Sequence, residues 1–110
     1  MIKHIIMFKI EEYESEEDKL KKAHEIKSTF EVLKDNIKEI FSFQVGLNFN
    51  TSNCAFDVVI DATFRNREEL QTYLNHPDHI FAREKISMIS KTKAVIDYEI
   101  KRKRKKKFGK

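Results

Sequence analysis

The chain has 110 residues, of which 40% are apolar and 36% charged, a balance typical of one globular domain and not of a disordered or membrane-spanning protein. Eight of its 22 lysines and arginines fall in residues 101–110, so residues 1–100 hold 14 basic residues against 18 acidic ones. We therefore predict a mildly acidic domain over residues 1–100, followed by a basic tail over residues 101–110 that is disordered.

The first residues and the single cysteine bear on the compartment in which the protein works. Residues 1–10 enter a strand pattern directly, without the apolar segment and cleavage site of a secretory signal. Cys54 is the only cysteine and cannot form an intramolecular disulfide, and the sequence has no run of about 20 apolar residues to cross a bilayer. We expect a cytoplasmic protein that does not associate with membranes.

Hydrophobic periodicity predicts secondary structure in the order β-α-β-β-α-β. The strands predicted from alternating side chains are residues 2–10, 41–49, 55–64 and 92–100. The helices predicted from apolar spacings of three and four, with a restart at Pro77, are residues 16–35, 66–74 and 77–89. This order is the split βαβ arrangement of ferredoxin-like α+β folds.

The predicted strands carry apolar residues on both faces. In this fold both helices cover one face of the sheet, and a face left in water is normally polar. Mid-strand positions of the second face are instead assigned to Ile5, Met7, Val59 and Val95. A sheet that is apolar on both faces needs a second layer, which an identical sheet commonly supplies. The pattern predicts a homodimer through this sheet face, against the alternative of scattered apolar residues on a solvated sheet.

Three histidines and a tyrosine form the group of residues with the most chemical potential. His4 shares the apolar face of the first strand, and Tyr73, His76 and His79 follow one another at spacings of three. Histidine exchanges protons near neutral pH, and tyrosine donates a hydrogen bond to a developing oxyanion. Together they could bind a small molecule in a pocket and remove a proton next to its carbonyl. The alternative is structural, with histidines capping backbone groups and Tyr73 packed in the core.

Five segments, in order along residues 1–100, resemble the stress-responsive A/B-barrel (Dabb) domain family. They are Met1–Lys9 (MIKHIIMFK), Val45–Gly46, Phe64–Tyr73, Asn75–His79 with its His-Pro-Asp-His signature, and Val95–Tyr98 (VIDY). The resemblance implies a ferredoxin-like protomer that forms a dimeric α/β barrel, with a pocket between the sheet and the helices of each protomer. The family is functionally mixed, so the resemblance implies a protein of unassigned biochemical function.

Some plant members of this family are polyketide cyclases, which use a histidine of that signature and a nearby tyrosine as an acid–base pair. Carried onto this sequence, the resemblance implies His79 as base, Tyr73 as hydrogen-bond donor and His4 as helper, with His76 in the ligand pocket. The cyclases have a further histidine in the third strand, where this chain reads Asp57-Val58-Val59 and has none. An acid–base enzyme on a carbonyl or polyketide-like compound is therefore an alternative, and the sequence leaves open whether the protein is an enzyme.

The basic tail predicts a third class of function, binding to nucleic acid or another polyanion. Its consecutive positive residues are Lys101, Arg102, Lys103, Arg104, Lys105, Lys106 and Lys107. Contacts between these residues and phosphates would weaken steeply as salt rises. The competing interpretation is a solvated terminus that adheres weakly to anions.

The sequence offers no recognisable motif for a cofactor or a metal. The two glycines, Gly46 and Gly109, cannot form a glycine-rich phosphate loop. A metal site would come from His76 and His79 with Asp78, three side chains around Pro77 that are poorly placed to converge, and an axial haem ligand from His76 or His79. We expect neither a cofactor nor a metal.

Overall fold

Residues 1–101 are described by the computed structural model, and they form four strands and four helices. The strands are β1 (Ile2–Lys9), β2 (Ser42–Leu47), β3 (Val58–Phe64) and β4 (Thr92–Glu99). The helices are α1 (Glu16–Glu31), α2 (Leu33–Asn36), α3 (Arg67–Asn75) and α4 (Pro77–Ser87). The predicted β-α-β-β-α-β order is confirmed, with one turn, α2, separated from the end of α1. No helix in this part of the chain has the length and apolar content needed to cross a bilayer.

The helices begin where polar side chains satisfy free backbone N–H groups. Ser15 caps α1 by accepting from the backbone N–H of Asp18 at 3.0 Å. Asn66 caps α3 in the same way, accepting from the N–H of Glu69 at 2.8 Å. Each cap satisfies one of the donors that a helix start leaves without an intrahelical partner.

The strands β2 and β3 are shorter than predicted because side chains replace the strand ladder between them. The Asn48 side-chain amide donates to the carbonyl of Phe56 at 2.5 Å and accepts from the backbone N–H of Asn50 at 2.9 Å. Asn50 then accepts from the N–H of Ser52 at 2.8 Å. Such local bonds offer the backbone an alternative to strand pairing, so the turn occupies more of the chain than the predicted residues 50–53.

All strands of the sheet pair antiparallel, in the order β2-β3-β1-β4. The helix α1 packs over β2 and β3, and α3 packs over β1 and β3. Ile6 of β1 lies opposite Ile60 of β3 and Val95 of β4. Because directly opposed residues in an antiparallel pair share a face, these three side chains project together on the helix side of the sheet.

This register corrects the face predicted for Val95. Alternation placed Val95 on the face away from the helices, whereas its pairing with Ile6 places it on the helix side and leaves Ile96 opposite Ile5 on the open face. Period two separates the faces of a strand without saying which face meets the core. In β4 the open face carries Ala94, Ile96 and Tyr98, whereas Val95 is flanked by charged residues on the helix side. Val95 and Ile96 are 60% and 57% exposed because β4 is an edge strand.

Candidate functional site

A cavity of about 280 Å³ lies on the helix side of the sheet, beside α3 and α4. Its apolar wall includes Ile6, Phe8, Phe30, Ile60 and Leu74. The titratable side chains that line it are His4, Tyr73, His79, Arg83, Lys93 and Asp97. A larger depression of about 510 Å³, between α1 and the β2–β3 connection, contains none of the histidines or Tyr73. The smaller cavity is therefore the candidate site.

His4 is held in the cavity by its position on the central strand. It lies on the helix side of β1, directly opposite Asp97 of β4, and only 4% of it is exposed. Its Nδ1 is hydrogen-bonded to the carboxylate of Asp97. An ionised carboxylate only accepts, so Nδ1 carries the proton and Nε2 of the neutral ring keeps a lone pair. This is the arrangement in which a carboxylate orients an imidazole for proton transfer.

His79 reaches the same cavity from the first turn of α4. It is 6% exposed, and its Nδ1 donates to the backbone carbonyl of Leu74 at 3.1 Å, which leaves Nε2 as an acceptor. Burial lowers the pKa of His79 to about 4, and the hydrogen bond to Leu74 opposes this only in part. The positive charges of Arg83 and Lys93 act in the same direction as burial. His79 is therefore neutral at pH 7.

Tyr73 of α3 lies between the two histidines. Its ring centroid is 6.1 Å from that of His4 and 4.4 Å from that of His79. Burial raises the pKa of Tyr73, so its hydroxyl keeps its proton and is available as a hydrogen-bond donor. Across residues 1–101 no hydrogen bond involves this hydroxyl, while both histidines are engaged through Nδ1. The structure thus brings His4, Tyr73 and His79 together.

His76 does not join this cluster. It is the N-cap of α4, and its Nδ1 accepts from the backbone N–H of Asp78 at 3.0 Å. It is absent from the lining of the cavity, so the ligand-binding role expected for His76 has no support in the geometry. Among the described residues, no group of three His, Cys, Asp or Glu side chains is placed to hold a metal ion.

The basic tail is almost entirely outside the described residues. Lys101 is exposed at their end. The other residues predicted to bind anions, Arg102, Lys103, Arg104, Lys105, Lys106 and Lys107, lie beyond it. Polyanion binding by the tail therefore stays a prediction.

Sequence reasoning missed three charged residues of the site. Arg83 lies four residues after His79 on α4, a spacing that puts two side chains on the same helix face and could have revealed it. Asp97 and Lys93 reach the cavity through the pairing of β4 with β1, opposite His4 and Phe8. Before the register is known, nothing in the sequence assigns those two residues to the helix side.

The chain was compared with known families and proteins. The family described as "Stress responsive A/B Barrel Domain" matches residues 2–100. No curated protein matches the chain.

Solved structures with the same fold include proteins from bacteria and from a plant. A dimeric protein of unknown function with a ferredoxin-like fold from Bacteroides fragilis is 29% identical, with a TM-score of 0.78 over 90% of this chain and 95% of that one. A dimeric ferredoxin-like protein of unknown function from Thermobifida fusca is 17% identical, with a TM-score of 0.75 over 90% of each chain. A hydroxynitrile lyase from Passiflora edulis is 14% identical, with a TM-score of 0.75 over 94% of this chain and 96% of that one. With the family matched over residues 2–100, this chain belongs to the stress-responsive A/B-barrel domain family and has its ferredoxin-like α+β fold.

Proposed function

We propose that the cavity is an acid–base site for a small carbonyl compound, in which the proton is exchanged at Nε2 of His4. The observation that carries this proposal is the hydrogen bond between buried His4 and the more exposed Asp97, at a cavity that Tyr73 and a neutral His79 also line. Buried titratable groups that share one cavity are a common mark of functional sites.

The proposed chemistry follows from the state of each group. His4 takes a proton from the carbon next to the carbonyl, and Asp97 stabilises the imidazolium that forms. The Tyr73 hydroxyl donates to the carbonyl oxygen as that oxygen gains negative charge. With its Nδ1 committed to Leu74, His79 offers Nε2 to a hydroxyl group of the bound compound.

This assignment exchanges the roles that the family resemblance implied for the two histidines. A general base works best when its pKa lies near the working pH. Because burial lowers the pKa of His79 to about 4, its ring takes up a proton poorly at neutral pH. His4 instead contacts the carboxylate of Asp97, which can stabilise the positive charge that the ring gains when it takes a proton. The Passiflora edulis neighbour is a hydroxynitrile lyase, so this fold carries an enzyme in that protein, although 14% identity transfers no substrate.

The protonation state of His4 tests the proposal without a known substrate. Long-range ¹H–¹⁵N NMR spectra distinguish the two neutral tautomers of each histidine. We expect His4 with its proton on Nδ1 in the wild-type protein, and a loss of this state in Asp97→Asn. His24→Gln, at an exposed position of α1, is the control and should leave the His4 signals unchanged. A neutral His4 ring that carries its proton on Nε2 would have no lone pair at that atom to act as the base, and this result would overturn the proposal.

Catalysis is then tested by exchange. A panel of small ketones and aldehydes is incubated with the protein in D₂O, and loss of the proton next to the carbonyl is followed by ¹H NMR. Wild type and His24→Gln should accelerate exchange, whereas His4→Gln should return it to the rate in buffer. Equal rates for wild type and His4→Gln would contradict a role for His4 as base.

We also infer that the chain works as a homodimer through the open face of its sheet. Ile5, Met7 and Val59 lie partly exposed on this face, next to Ile96, which is 57% exposed. The Bacteroides fragilis and Thermobifida fusca proteins with this fold are dimeric. Burying such a face against an identical one removes apolar surface from water at about 25 cal/mol per Å².

Light scattering tests the homodimer. Ile5→Asp should convert the dimer to a monomer, because it buries a charge in the proposed interface. Phe81→Asp is the matched control, since Phe81 is 68% exposed on α4, away from the open face. A monomeric wild-type protein, or a dimer that survives Ile5→Asp, would overturn the inference.

A further inference from the structure

Within residues 1–101, two basic side chains at the cavity have no acidic partner. Arg83 projects from α4 and Lys93 from β4, both are exposed, and both line the cavity. The salt bridges within residues 1–101 involve neither of them. Asp97, the one acidic residue in the cavity lining, is already hydrogen-bonded to His4. The cavity therefore combines an apolar wall with a basic mouth.

The charges at this mouth leave one positive charge uncompensated. Arg83 and Lys93 contribute two positive charges, Asp97 contributes one negative charge, and neutral His79 contributes none. With His4 neutral, the sum is one positive charge, which a single monoanion balances. A dianionic phosphate monoester would leave an excess of negative charge beside an apolar wall, where unbalanced charge is costly.

We propose that the ligand of this cavity is a small amphipathic carboxylate, such as a keto acid, whose carboxylate lies between Arg83 and Lys93. Its apolar part would pack against Ile6, Phe8 and Phe30, with its carbonyl near His4. A cavity of about 280 Å³ equals roughly nine water volumes, so it fits a molecule of about ten non-hydrogen atoms. This inference rests on the proposed acid–base site and adds the class of its substrate.

Calorimetric titration of the full-length chain at neutral pH tests the inference with isosteric probes. Octanoate and octanamide have the same number of non-hydrogen atoms and differ in charge, while hexyl phosphate carries the alternative anion. We expect octanoate to bind about a hundredfold more tightly than octanamide, as two charge-assisted contacts of about tenfold each provide. Arg83→Gln and Lys93→Gln should each weaken octanoate about tenfold and leave octanamide unchanged. Lys85→Gln, which removes a basic residue of α4 outside this cavity, is the matched control. All variants retain the basic tail, so its contribution cancels.

The outcomes separate this inference from the proposed function. Equal affinities for octanoate and octanamide, or an octanoate affinity unchanged in Arg83→Gln and Lys93→Gln, would overturn the carboxylate and leave the acid–base site standing. Tighter binding of hexyl phosphate would overturn the assignment of a monoanion. If no probe binds or shifts the NMR signals of His4 and His79, the cavity does not bind ligands. The proposed function is then refuted together with this inference. The tautomer of His4 does not depend on Arg83 or Lys93 and is read independently.

Discussion

Acid should destabilise this protein through His79. The pKa of His79 is about 4 in the folded protein, against an ordinary value of 6.5. As pH falls from 6.5 to 4, the unfolded chain binds a proton at this position and the folded chain does not. The free energy of unfolding then decreases by about 1.4 kcal/mol per pH unit, or about 3 kcal/mol in all. This contribution of His79 to the free energy of unfolding is fully present above pH 6.5 and fully lost below pH 4. Since His79 is only 6% exposed, solvent screening reduces this little.

Urea unfolding followed by circular dichroism measures this effect, at one protein concentration and at several pH values between 8 and 4. The stability difference between wild type and His79→Gln should shrink by about 3 kcal/mol over this range. His24→Gln should follow the wild-type pH dependence, because His24 is exposed on α1. A difference between wild type and His79→Gln that stays constant to within about 0.5 kcal/mol would show that the folded state does not hold His79 neutral.

Two further predictions concern the fold that supports the site. Ile26 of α1 is fully buried, so Ile26→Ala should lower the free energy of unfolding by about 3 kcal/mol, while Val32→Ala, at a position 55% exposed, should cost less than about 1 kcal/mol. Equal costs in urea unfolding would contradict this assignment of the core. Asn66→Ala should cost about 1 kcal/mol because the N–H of Glu69 loses its acceptor, and Asn66→Asp should retain most of the stability. An Asn66→Asp variant as unstable as Asn66→Ala would refute the capping role.

The element order could be predicted from the sequence because period two and period 3.6 are both strong in this chain. The ends of the helices and strands were harder to predict. Leu33 and Ile37 continue the apolar spacing of α1, and Val32 keeps helical backbone angles (φ −67°, ψ −21°), so no sequence signal marked the break before α2. The end of β2 depends on hydrogen bonds of the Asn48 side chain, which periodicity does not register.

The site was predicted in part, and the missing part depends on strand register. His4, Tyr73 and His79 were found because their residue types and positions match a family signature. Asp97 and Lys93 contribute only because β4 pairs with β1 as it does, and a slip of one residue would turn both side chains to the open face. The same ambiguity assigned Val95 to the wrong face. A charged strand face normally meets water, so the charged residues beside Val95 favoured the open face for a side of β4 that in fact faces the helices.

The central position of β1 in the sheet affects how the protein folds during its synthesis. Ile2 pairs with Phe64 on one side and with Glu99 on the other, so β1 cannot complete its pairing until β4 has been made. At about 10 residues per second, Glu99 leaves the ribosome's active centre roughly ten seconds after Ile2. Until β3 is made, β1 has two unpaired edges, and the edge that pairs with β4 stays open to other chains for the whole interval. The sheet therefore cannot close until β4 has been made, and molecular chaperones have their main opportunity to act before β4 emerges.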